Sequence, residues 1–201
     1  VMLVARELGT EGQGQYSLLV LFPIIIYTFL NLGTPAASVY FVAQKKYSLK
    51  EIYSTNMFSC LLLSIFSFLL GLVIVFYYKD CFFEGISDWL LISVLMVMPI
   101  LFTQKNLQTL FQGKEDFEKF NIVVVLNQFG LLFFSVLFVW VMKLGVIGAV
   151  MSFYSAQLLM LLVSLFLLRD SYGLLIPNSF SCAYLKDSLT YGIKGHISNV
   201  L

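Results

Sequence analysis

Charge is scarce in this 201-residue sequence, where Asp, Glu, Lys and Arg together make up 11%. Soluble domains carry about 25%, so a fold with an ordinary solvated surface is a poor explanation. An excess of one sign is also missing, and a net charge of +1 leaves no basic face for a nucleic acid backbone. The three cysteines, Cys60, Cys81 and Cys182, are far apart, odd in number and without a C-x-x-C pair. They read as small buried residues rather than as disulfide partners or metal ligands. Catalytic signatures are absent too: there is no HExxH, no P-loop, no GxSxG and no loop acidic pair of the DxD kind. Glu115, Asp116 and Glu118 form the nearest acidic cluster. They sit between Lys114 and Lys119 and read as a solvated loop. Neither a metal nor a cofactor is expected, and the chain is not expected to be an enzyme.

What remains is apolar. Hydrophobic residues make up 60% of the chain and the mean hydropathy is +0.91. They come in runs of bilayer length, since roughly 20 apolar residues at 1.5 Å rise cross the hydrocarbon core. The runs predict an all-α polytopic membrane protein with five full helices at about 16–43, 53–78, 88–111, 120–141 and 146–168. The first starts at Tyr16, and Pro35 should kink it near Asn31. Both ends read as cut: Val1 to Ala5 as the tail of a helix, and Asp187 to Leu201 as the start of another. No signal peptide is visible at Val1.

The breaks between runs alternate in charge. Lys45, Lys46, Lys50, Lys114, Lys119, Arg169 and Lys186 fall in one set of loops, and only Arg6, Lys79 and Lys143 in the other. The richer set is expected to be cytoplasmic.

Polar residues at depth are the candidate functional positions. Lys105 is the one ionisable residue well inside an expected span, with Gln108 and Gln112 following at i+3 and i+7. Two readings stand side by side: a cationic, hydrogen-bonding wall for an anionic substrate, or a lysine that snorkels to the near headgroups. Tyr27, Asn31, Thr34 and Ser38 share one helix face, and Asn121, Gln128 and Ser135 are spaced by heptads, with Asn127 alongside. Either set could line an aqueous lumen or make hydrogen bonds between helices. Ser64, Ser67 and Gly71 read as a small-residue packing groove. Lys194 and His196 fall in the last apolar stretch; their spacing puts them on different sides of a helix, and a histidine there could carry protons.

Several local patterns resemble one family. Ala5-Arg6-Glu7-Leu8-Gly9 with Gly12, Gly14 and Tyr16 resembles the first periplasmic turn of polysaccharide flippases, the O-antigen and repeat-unit exporters of the multidrug/oligosaccharidyl-lipid/polysaccharide superfamily. Leu32-Gly33-Thr34-Pro35-Ala36, ending in Val42-Ala43, is similar to their second helix. Phe111-Gln112-Gly113 with Phe117 and Asn121 resembles the turn between helices four and five. Gly145-Val146-Ile147-Gly148-Ala149 resembles the start of helix six, and Tyr191-Gly192-Ile193 with Ser198-Asn199 the opening of helix seven. At Lys194 the family often has Pro, so the chain departs from the pattern there. The resemblance implies the N-terminal lobe of a two-lobed transporter over residues 1–186, from the end of helix one through helix six, and the start of the second lobe over 187–201. It further implies transport of undecaprenyl-diphosphate-linked oligosaccharides across the inner membrane, with a glycan polymerase and a chain-length regulator as partners alongside membrane lipids. Lys105, Gln108, Asn31, Asn121, Gln128, Lys194 and His196 would then face the substrate lumen. Beside a non-transporting scaffold, two alternatives stand, the first sharing the transporter architecture and the second from a different class. One is a multidrug and toxin extrusion antiporter, which should carry deep carboxylates that these spans lack. The other is a membrane-embedded glycan polymerase or transferase, which should carry a large loop with acid/base residues.

Overall fold

The computed structural model describes residues 2–173 and 176–200, with side chains described for residues 6–173 and 176–195. These residues form an all-α bundle: α1 (Met2–Leu30), α2 (Thr34–Gln44), α3 (Leu49–Phe82), α4 (Asp88–Leu95), α5 (Met98–Gly113), α6 (Phe117–Ser135), α7 (Gly145–Tyr172) and α8 (Cys182–Val200). A π-helical turn, Val136–Val141, continues α6. Among the described residues five segments are long and apolar enough to cross a bilayer: Arg6–Leu30, Leu49–Phe82, Asp88–Gly113, Phe117–Val141 and Gly145–Tyr172. The protein is a polytopic helical membrane protein.

The outward faces explain the composition. Phe66, Phe76, Phe129, Phe133 and Phe166 are all exposed, which water would penalise and lipid does not. The spans bury polar and small residues toward one another instead. Ser64, Ser67, Gly71 and Val75 are buried in one line along α3, and a Cβ on Gly71 would lie 2.5 Å from the Leu95 side chain. Loss of side-chain volume lets α3 and α4 close on each other, as the packing-groove reading expects.

The helix ends differ from the expectation in instructive ways. Helix runs from Met2 through the polar stretch before Tyr16, broken in geometry only at Gly9, whose φ of 69° favours glycine. The segment expected at 16–43 is interrupted more sharply than a proline kink. Leu32 and Gly33 adopt left-handed φ of 51° and 68°. Asn31 organises this break: its side chain accepts from Gly33 N–H at 2.8 Å and donates to the Thr28 carbonyl at 2.9 Å, the local bonding that lets Asn compete with helix. The 88–111 span is likewise split at Met96–Val97, just before Pro99. At the other end, α8 starts at Cys182 rather than near 187, because the Ser181 hydroxyl accepts from Tyr184 N–H at 3.3 Å and caps it. All three cysteines are free, but only Cys60 is buried as expected; Cys81 and Cys182 are exposed because they sit at helix ends.

Candidate functional site

The α4–α5 segment is the most enclosed of the five spans, and α5 packs against α2, α3, α6 and α7. It is also the most polar inside, through the run Thr103-Gln104-Lys105-Asn106-Leu107-Gln108-Thr109. The structure sorts these residues by face. Asn106 turns toward α3, donating to the Phe102 carbonyl at 3.1 Å and to Cys60 Sγ at 2.9 Å. Gln104 is fully buried, and neither atom of its side-chain amide finds a hydrogen-bond partner among the described residues. Buried amides without partners are rare and costly, about 1–3 kcal/mol per group.

Lys105 is exposed on one edge of α5, between the buried Gln104 and Asn106, as is Gln112 two turns later. Gln112 and Thr109 line a groove of about 390 Å³ against Pro35, Ala36 and Val39 of α2. Helical spacing puts Lys105 on the continuation of that polar line. Gln108, expected on the same face, is buried: an offset of three residues turns it about 60° toward the neighbouring helix.

The other candidates separate. Asn31 spends its side chain on the α1–α2 turn. Thr34 donates to the Asn31 carbonyl, and Ser38 is fully buried. Asn121 and Gln128 are both exposed on α6, whereas Ser135, expected in the same stripe, is buried. Lys194 is exposed on α8, and the side chain of His196 lies outside the described residues. Among the described residues no group of three or more His, Cys, Asp or Glu side chains could hold a metal ion.

Two polar clusters escaped the sequence reading. In the first, Tyr184 of α8 donates to Asn56 Oδ1 of α3 at 3.0 Å. Asn56 Nδ2 donates to Ser38 Oγ of α2 at 2.9 Å, and Ser38 Oγ lies 3.1 Å from Tyr184 Oη. All three residues are buried, so three helices meet in one closed ring of hydrogen bonds. The partners are up to 146 residues apart in sequence, which no local pattern signals. In the second, Asp187 of α8 accepts from Lys46 at 2.6 Å and from Tyr47 Oη at 2.7 Å. The hydrogen bond from Lys46 holds the Asp187 carboxyl below its ordinary value and, reciprocally, raises the Lys46 ammonium above its own. The Lys119 ammonium likewise lowers Asp116.

These contacts gather one end of the bundle. Lys45, Lys46 and Lys114 border a common pocket, and Lys114 stands 5.9 Å over the Tyr172 ring.

The family model described as "Polysaccharide biosynthesis protein" matches residues 1–201. No curated protein and no solved structure gives a match.

Proposed function

We propose that this chain, which belongs to the polysaccharide biosynthesis protein family, forms the first lobe of a flippase that moves lipid-linked oligosaccharide repeat units across the inner membrane. On this reading residues 1–186 are that lobe and residues 187–201 open the second, with the Lys45, Lys114 and Arg169–Lys186 loops in the cytoplasm. The cargo combines a diphosphate, a polar glycan and an undecaprenyl tail, and it passes between lobes by alternating access. A glycan polymerase and a chain-length regulator would handle the delivered units.

The observation that carries the reading is the edge of α5. A lysine at membrane depth costs about 2.5–3.5 kcal/mol on insertion scales, yet Lys105 is exposed on that edge, in line with Gln112 and the groove against α2. A cation followed by a hydroxyl and an amide, Thr109 and Gln112, suits a diphosphate and then sugar hydroxyls. The tail can remain in lipid. Asn121 and Gln128 add further amides on the exposed surface of α6.

Replacing Lys105 with Ala should lower glycan export about ten- to hundredfold, the range expected for one charge-assisted contact. Insertion and thermal stability should be unchanged or better, because a costly charge leaves the membrane. Lys105→Arg should keep most of the activity. Export at the normal level in a Lys105→Ala protein that inserts normally would overturn the role assigned to this residue.

A further inference from the structure

The basic end of the bundle holds a pocket of about 430 Å³, within the size range of small-ligand sites. Its rim carries Lys45 and Lys46 from the α2–α3 turn and Lys114 from the end of α5, and its floor is apolar, with Val42, Leu49 and Ile52. Val42 and Ile52 are buried. Cations above an apolar floor, at the level where spans leave the membrane, match a lipid phosphate above its glycerol and first methylenes. Basic pockets between membrane helices are a recurring form of lipid headgroup recognition.

Two details argue that the lysines are placed rather than scattered. Lys45 ends α2 in the left-handed conformation, with φ of 56° and its N–H donating to the Val42 carbonyl. Gly or Asn is the usual residue at such an end, so a lysine accepts backbone strain to stand there. In addition, neither Lys45 nor Lys114 has an ion-pair partner among the described residues. Lys46, between them, is held by Asp187 of α8.

We infer that this pocket binds the phosphate of an anionic phospholipid from the adjoining leaflet, independently of the transported cargo. The bound phosphate competes with the Asp187 carboxylate for Lys46. Lipid occupancy therefore loosens the ionic tie between the α2–α3 turn and α8, and leaflet composition biases how α8 docks.

The test uses the full-length protein in nanodiscs of phosphatidylcholine doped with phosphatidylglycerol, with retained lipid counted by native mass spectrometry. The wild-type protein should retain phosphatidylglycerol over phosphatidylcholine by about tenfold. Lys45→Gln and Lys114→Gln should each, as single changes, lose most of that preference, whereas Lys50→Gln, an equal charge change at the start of α3 but off the pocket, should keep it. Asp187→Asn, which removes no cation, should strengthen retention several-fold, while Asp170→Asn should not. Soluble inorganic phosphate or diphosphate at millimolar concentration should fail to displace the lipid. Equal losses from Lys50→Gln and the pocket variants would reduce the effect to general surface charge and overturn the site. Displacement by free phosphate would overturn the assignment to lipid, and no tightening in Asp187→Asn would overturn the competition with α8.

Discussion

Replacing Gly33 with Ala should destabilise the protein by about 2–5 kcal/mol, measured by SDS titration of the solubilised full-length chain. A Cβ at Gly33 would lie 2.1 Å from the carbonyl oxygen of Gly192. That neighbour is backbone, so no rotamer change relieves the clash, and α2 must part from α8. Overpacking of this kind costs about 1–3 kcal/mol. The left-handed φ of 68° adds about 1–2 kcal/mol for any residue with a Cβ. Gly192→Ala should cost less, about 1–3 kcal/mol, since its Cβ would meet the Leu32 carbonyl at 2.6 Å but no positive φ is recorded there. The double variant should cost less than the sum, because once the helices have separated the second methyl meets open space. A Gly33→Ala cost of no more than about 1 kcal/mol, within reach of the left-handed φ alone, would show that α2 and α8 do not touch in the membrane.

Tyr184→Ala should be comparably damaging, about 3–5 kcal/mol, because a fully buried aromatic ring leaves a cavity. Tyr184 is packed edge-on against Phe41 and Tyr47, and those contacts vanish with the ring. Tyr184→Phe separates packing from hydrogen bonding. It keeps the ring but strips the donor from Asn56 Oδ1, for an expected cost of about 1–2 kcal/mol. Hydrogen bonds between membrane helices average only about 0.6 kcal/mol in double-mutant cycles, so the excess over that figure measures the buried acceptor left alone. Equal effects of Ala and Phe would assign the whole contribution to the hydroxyl and contradict the packing account.

The fold was legible to the extent that lipid dictates it. Lipid demands apolar segments long enough to cross it, and uniform Leu, Phe and Val runs between charged breaks supply five among the described residues. The α3 stripe of Ser64, Ser67 and Gly71 was equally readable, because small residues have few other uses at that spacing. The α1–α2 break was not located as a turn, since Gly and Pro are both tolerated within membrane helices. Its signal was the Asn31 side chain two residues before Gly33. The ring of Ser38, Asn56 and Tyr184 could not be seen at all, because each residue is ordinary in its own segment and meaning arises only when three helices meet. For the candidate site, Lys105 was the readable element: one charge in an apolar span stands out. Periodicity does not give the side of α5 that a neighbour covers, and it groups Gln108 with Lys105 although the bundle buries Gln108.

The exposed edge of α5 is expected to be wet inside the membrane. This is tested most directly by cysteine labelling in intact membranes, in a full-length chain with Cys60, Cys81 and Cys182 replaced by Ser. Single substitutions Lys105→Cys and Gln112→Cys should react with a small hydrophilic thiol reagent at least about tenfold faster than Phe66→Cys or Phe166→Cys, whose side chains are exposed toward lipid. Lys105→Cys as inert as Phe166→Cys would contradict the account.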